Sequence, residues 1–369
     1  MIVGVPTEVK EGEHRVALTP DGVRELVGRG SQVVVQAGAG AGSSITDDDY
    51  ADADAEVGTA EDAWGAQLVV KVKEPQLGEL DRLRADQVLF TYLHLAAHPE
   101  VAEALLAAGT TSLAYETVQL SDGSLPLLAP MSEIAGRLAT QVGAHHLEAA
   151  QGGRGILLGG APGVRPARVV VIGAGNVGWA AASIAAGMDA EVLLLDRNLD
   201  RLRFLDQIRG GRVTTLASNR GAIERVLLEA DLVVGAVLVA GGRAPVVVPA
   251  EVVRRMRGGS VIVDVAIDQG GCVEGIHETT HAAPVYERHG VLHYAVGNIP
   301  AAVPHTSTYA LTNATLTYVA ALAARGVPAA MAADPALVPG VTTVAGRVTN
   351  RAVAESLGRP WADPAATLA

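Results

Sequence analysis

Short apolar runs alternate with stretches of helical periodicity along almost the whole chain, the pattern of a parallel α/β architecture. In the first third, Ile2–Val5, Gln32–Gln36 (QVVVQ) and residues 68–73 (LVVKVK), 88–92 (VLFTY) and 111–115 (TSLAY) predict strands able to form one sheet. Thr19 reads as a helix N-cap, followed by Pro20 at the first helical position. The pattern breaks at two prolines in LPLLAPM (125–131), and a helix is predicted over 132–151 with Ser132 as its N-cap; a domain boundary belongs there. A second series follows, with strands predicted at 168–172, 191–195, 212–215, 232–234, 261–265 and 291–295. That is about the six strands of a complete dinucleotide-binding sheet. From Thr306 another helix leads into an Ala/Pro-rich tail that can return to the first domain.

Length and composition sharpen this picture. At 369 residues the chain is long enough for two domains, possibly three by size alone. A net charge of −12 gives no global attraction to nucleic acid or to an anionic membrane, so neither is expected as a partner. The single Cys272 cannot form an internal disulfide, which fits a reducing compartment; with no secretory signal readable at the N-terminus, the expected location is the cytoplasm. Forty-two glycines against two Phe, seven Tyr and three Trp leave Ala, Val and Leu to build the core. One uncharged 20-residue stretch, 169–188, has the length of a membrane span, but its glycines divide it into strand, tight turn and helix.

That turn carries the strongest local motif. Gly173-Ala174-Gly175-Asn176-Val177-Gly178 follows a strand and opens a helix. Glycines there permit the turn, the approach of a pyrophosphate and close helix–strand packing, while the helix N-terminus supplies N–H donors. A second strand ends at Asp196, 18 residues beyond Gly178, where a carboxylate would bond the adenosine ribose hydroxyls and repel a 2′-phosphate. NAD is therefore favoured, although the neighbouring Arg197 could partly accommodate NADP. His277-Glu278-Thr279-Thr280-His281 matches the H-E-x-x-H zinc pattern, the basis of a competing zinc-peptidase reading. Its β-branched centre and flanking glycines speak against the required helix, so no metal is expected. Among single residues, His94 and Asp268 each follow a strand, the end at which α/β folds carry functional groups. Arg15 and Lys73 could bind a small carboxylate, Arg15 as a bidentate fork and Lys73 as a point charge. Taken singly, His94 is more often structural than catalytic, and Arg15 and Lys73 read as ordinary surface charge.

Taken together, MIVGVPTEVKEGEHRVALTP, VVKVKEP, FTYLHLA, LLAPMSEIAGRLA, GAGNVG, VDVAIDQGGCVE and HTSTYALTNAT resemble, in order and spacing, the L-alanine dehydrogenase family over essentially the whole chain. The resemblance implies two Rossmann-like doubly wound domains. An NAD domain (129–305) is inserted into a discontinuous substrate domain (1–128 and 306–369). It implies reversible oxidative deamination of L-alanine to pyruvate and ammonium, in a homo-oligomer that is usually a hexamer. By the same resemblance Arg15 and Lys73 hold the substrate, and His94 and Asp268 are the acid/base pair, their division of labour left open. Ser132, Gly173, Gly175, Gly178, Asp196, Arg201, Ser218, Val237, Leu238, Ile267 and Asn298 match the family's NAD contacts. Two departures stand out. His277 occupies a place where relatives can carry an arginine near the cofactor, and a metal site found in some members would fall on Ala321 and Arg325, which cannot ligate it. The NAD-binding subunit of proton-translocating transhydrogenase is a related alternative, disfavoured because all four proposed substrate and catalytic residues are present. A dehydrogenase for another amino acid is a second.

Overall fold

The computed structural model describes residues 1–209, 211–237 and 243–368. The chain first lays down β1 (Ile2–Val5), β2 (Gln32–Gln36), β3 (Glu56–Gly58), β4 (Leu68–Val70), β5 (Val88–Thr91) and β6 (Thr111–Ala114). Next come β7 (Arg168–Ile172), β8 (Glu191–Asp196), β9 (Thr214–Ala217), β10 (Leu232–Gly235), β11 (Val261–Asp264), β12 (Val285–Arg288) and β13 (Val291–Tyr294). The last two are β14 (Val341–Val344) and β15 (Arg347–Val348). Two compact units result, one of residues 1–131 with 303–369 and the other of residues 132–302.

The first unit is built on an eight-stranded sheet in the order β15-β14-β6-β5-β4-β1-β2-β3, with β1 to β6 mutually parallel and β14 antiparallel to β6. Helices on a parallel sheet bury both its faces, so the strands read as continuous apolar runs, and Val3, Leu68, Val69, Val70, Leu89 and Phe90 are all fully buried. Thr19 caps its helix as expected, its hydroxyl accepting from Gly22 N–H, with Pro20 in the first turn. Strand β4 stops at Val70 rather than running to 73, because the Glu8 carboxylate takes the next amides: Val72 N–H at 2.6 Å and Lys73 N–H at 3.3 Å. Helix Pro304–Ala333 belongs to this unit. It is long and apolar enough to cross a membrane, yet Ser307, Thr308, Leu311, Thr312 and Thr315 form a buried face, and Thr308 accepts a hydrogen bond from Val16 N–H. Gly326, at φ 72°, breaks it near its end.

The second unit holds a seven-stranded sheet, order β12-β13-β11-β10-β7-β8-β9. Six strands are parallel; the seventh, β12, is an antiparallel edge partner of β13 that the apolar pattern missed. Its sequence VYER is only half buried, as suits an edge strand blunted by charge. The 169–188 stretch divides into β7, a turn and helix Asn176–Gly187. One expectation needs correcting. The helix read as starting at Ser132 spans Ala129–His146, so Ser132 lies inside it and is not an N-cap. Pro130 falls in the first turn, where a missing N–H costs nothing, so a proline taken for a break opens the helix instead.

Candidate active site

In the first unit β5, β4 and β1 are adjacent and parallel, so the segments leaving their carboxyl ends emerge on one side. Arg15 lies in the loop after β1, Lys73 just past β4 and His94 just past β5. Neighbouring parallel strands thus gather residues 15, 73 and 94, far apart in sequence, at the sheet end where α/β folds place ligands.

Arg15 is not surface charge: it is 2 % exposed. The Glu13 carboxylate accepts from its Nε at 2.7 Å and its Nη2 at 2.6 Å, and from its backbone N–H at 3.1 Å. Burial alone would raise the Glu13 pKa, but the hydrogen bonds and charge of Arg15 outweigh it and bring it down to about 2. The Nε edge of the guanidinium is therefore engaged inside the protein, which corrects the expectation of a whole fork turned to a ligand. Lys73 is held through its backbone by Glu8, which also pairs with the fully buried Lys71 at 3.2 Å; Lys71 pairs in turn with Glu79 at 3.0 Å and lies 5.7 Å from the centre of the Trp64 ring. Burial, then the charge of Arg15, lowers the pKa of the Lys73 ammonium, which makes no hydrogen bond among the described residues. A cation so placed gains from any carboxylate or carbonyl oxygen brought to it. His94 adopts a left-handed backbone, φ 46°, its ring parallel to that of Tyr92 at 5.9 Å.

In the second unit the sites align with the carboxyl ends of the six parallel strands. Gly173 follows β7, Asp196 ends β8, Ser218 follows β9, Val237 lies past β10, Ile267 and Asp268 sit in the 3-10 turn after β11, and Asn298 lies past β13. From β7 the chain crosses to β8 on one side and, later, to β10 on the other, the topological switch point at which such sheets bind nucleotides. The glycine turn fits a pyrophosphate. A Cβ on Gly178 would overlap Gly173 O, and one on Gly173 would overlap Ala236 O, so both are packing glycines; a Cβ on Gly175 would meet nothing within 4 Å and would fill only the open space above the helix N-terminus. Asp196 accepts from Ala174 N–H at 2.6 Å and Asn198 N–H at 2.7 Å, and Arg201 Nε donates to Ala174 O at 3.0 Å, so both brace the turn. Ser132 shares a helix face with Gly136, where a Cβ would overlap Val177 O, and so faces the start of helix Asn176–Gly187. Asp268 is exposed and accepts from Asn298 N–H at 3.1 Å; its turn is pinned by the buried Asp264, which accepts from Ala266, Cys272 and Val273 N–H. Leu238 lies outside the described residues.

Residues 277–281 form a loop, so the two histidines do not share a helical face. Glu278 instead lies against Gly297, whose absent Cβ would overlap its Oε1 and stand 3.2 Å from Asp268 Oδ1. Composition and spacing did not single out Glu8 or Glu13, and Glu278 entered only through the H-E-x-x-H pattern. A local cue existed for Glu13 alone, as E-x-R at 13–15; Glu8 reaches Lys73 from a distant segment.

Comparison with known proteins bears on the whole chain. The family model "Alanine dehydrogenase/PNT, N-terminal domain" matches residues 4–135 and "Alanine dehydrogenase/PNT, C-terminal domain" matches 139–351. The alanine dehydrogenase of Mycobacterium tuberculosis (strain ATCC 25618 / H37Rv) is 56% identical over 371 residues, covering 100% of both chains. A solved L-alanine dehydrogenase superposes with a TM-score of 0.94 at 52% identity, covering 97% of this chain and 99% of that one. The transhydrogenase from Sinorhizobium meliloti gives 0.82 at 26% identity, covering 95% and 100%.

Proposed function

Because the chain belongs to the alanine dehydrogenase/PNT family, we propose that it catalyses the reversible NAD-dependent oxidative deamination of L-alanine to pyruvate and ammonium. The observation that carries this reading is the pairing of two buried or half-buried cations, Arg15 and Lys73, with a histidine at adjacent strand ends, in a chain whose other unit carries the glycine turn and Asp196.

When bound, NAD supplies the acceptor for the hydride that leaves the alanine α-carbon. The NAD domain, residues 129–305, takes the cofactor: Gly173, Gly175 and Gly178 leave room for the pyrophosphate, Asp196 serves the ribose, and Ser132, Arg201, Ser218, Val237, Leu238, Ile267 and Asn298 complete the contacts. The Asp196 carboxylate favours NAD over NADP. The substrate domain, residues 1–128 with 306–369, takes the amino acid. Arg15 and Lys73 oppose the charge of the substrate carboxylate, and Lys73 polarises the carbonyl oxygen in the reverse direction. Loss of hydride leaves a substrate iminium, to which water adds before ammonia departs. His94 and Asp268 move the protons: the imidazole can both take and give one, and the carboxylate balances the iminium charge and orients the water. The protein is placed in the cytoplasm as a homo-oligomer, a hexamer by analogy with its family.

The test is NADH formation from L-alanine with NAD and with NADP, run beside a panel of other small amino acids across the neutral to alkaline range. Turnover with alanine and NAD, abolished by His94→Ala and by Asp268→Ala with little change in NAD affinity, is the expected result. Absence of turnover at every pH, or preference for another amino acid, refutes the assignment.

A further inference from the structure

The carboxylate that addresses His94 comes from neither its own strand nor its own loop. Glu116 sits in the 3-10 turn Tyr115–Thr117 that follows β6. Its Oε1 accepts from His94 N–H at 2.7 Å, and both oxygens lie 3.3 Å from Leu93 N–H. The same Oε1 is 3.7 Å from His94 Nδ1, too far for a hydrogen bond and close enough for an ion pair with a protonated ring. On the other side the His94 carbonyl accepts from Ala97 and His98 N–H at 2.8 and 3.2 Å. The left-handed residue is thus fixed at both ends while its ring stays 42 % exposed. The other groups against this loop are Tyr92, whose ring lies parallel to that of His94, and His98, whose ring is paired with Glu74 at 3.6 Å and Glu100 at 3.4 Å.

We propose that Glu116 is the positioning residue for His94, clamping its backbone in the left-handed conformation and so fixing where its ring stands. This rests on the role given to His94 in the proposed function. Glutamine keeps the clamp, since its amide oxygen still accepts from the backbone; alanine removes it.

The experiment measures kcat and KM for alanine, KM for NAD and the His94 ring chemical shifts by NMR at one fixed pH in the full-length protein. In Glu116→Ala kcat is expected to drop about tenfold, with KM for NAD unchanged and the His94 ring signals displaced, because the ring loses its fixed orientation. In Glu116→Gln, which keeps the backbone acceptor, kcat and the ring signals are expected to stay with the parent's. A Glu116→Ala protein whose kcat and His94 ring signals match the parent's, or a Glu116→Gln protein that loses as much as Glu116→Ala, overturns the proposal. If the parent protein forms no NADH from alanine, the proposed function fails by itself, while the ring signals still decide whether Glu116 positions His94.

Discussion

His293 gives the sharpest stability prediction. It lies on β13 facing Tyr286 of β12, the rings stacked at 5.1 Å and 9°, and His277 stacks on Tyr286 in turn at 3.9 Å. His293 is fully buried, and neither ring nitrogen has a hydrogen-bond partner among the described residues. Burial first, then the nearby Arg288, His289 and His277, lowers its pKa from 6.5 to about 4. In the unfolded chain the ring keeps its ordinary pKa, so between these values the unfolded state binds more protons than the folded one. Stability is then complete above the unfolded value and is lost as pH falls toward 4. At 1.36 kcal/mol per pH unit the full loss is about 3 kcal/mol, of which about 2 kcal/mol is gone by about pH 5. His293→Phe keeps the stacked ring and removes the titration. Urea unfolding of both proteins at about pH 8, 6 and 5 reads the difference: the parent should lose about 2 kcal/mol relative to the variant between the extremes. A gap between the two that stays constant with pH refutes the reasoning.

Gly178→Ala should destabilise unit 2 by about 1–3 kcal/mol, because the new Cβ collides with the Gly173 carbonyl. Gly175→Ala should leave the melting temperature in place while weakening NAD binding; calorimetry and a binding titration separate the two. Asp196→Asn is expected to weaken NAD by about tenfold and to narrow its preference over NADP, read from the two dissociation constants. Glu13→Gln breaks a buried ion pair and should cost about 3 kcal/mol near neutral pH, with a raised KM for alanine. Because the Glu13 pKa is held at about 2, below its ordinary 4.5, that contribution is present above 4.5 and fades as pH falls toward 2, so the two proteins should converge in acid unfolding.

The Rossmann-like unit was largely readable from the chain, since its strands are apolar runs whose ends carry turn residues. Gly173, Gly175, Gly178 and Asp196 were legible because a strand–turn–helix and the end of the next strand stand at short, fixed spacing along the chain. What escaped was marginal in local signal: β12 is short and half buried, and Pro130 reads as a break until the helix is seen to begin around it. The first unit's site was harder. Taken alone, Arg15 and Lys73 read as surface charge and His94 more often as a structural ring, and only the resemblance joined them.

Periodicity, glycine placement and one acidic residue thus determined the fold class and the glycine-turn end of the second sheet, because those features act over a few residues and must be written locally. Tertiary structure decided the rest. The order β5-β4-β1 brings residues 94, 73 and 15 to one sheet end. Glu8, Glu13 and Glu116 each hold one of those residues in place. Two of these three contacts join segments more than twenty residues apart, and no local pattern records which carboxylate a folded sheet will bring to which cation.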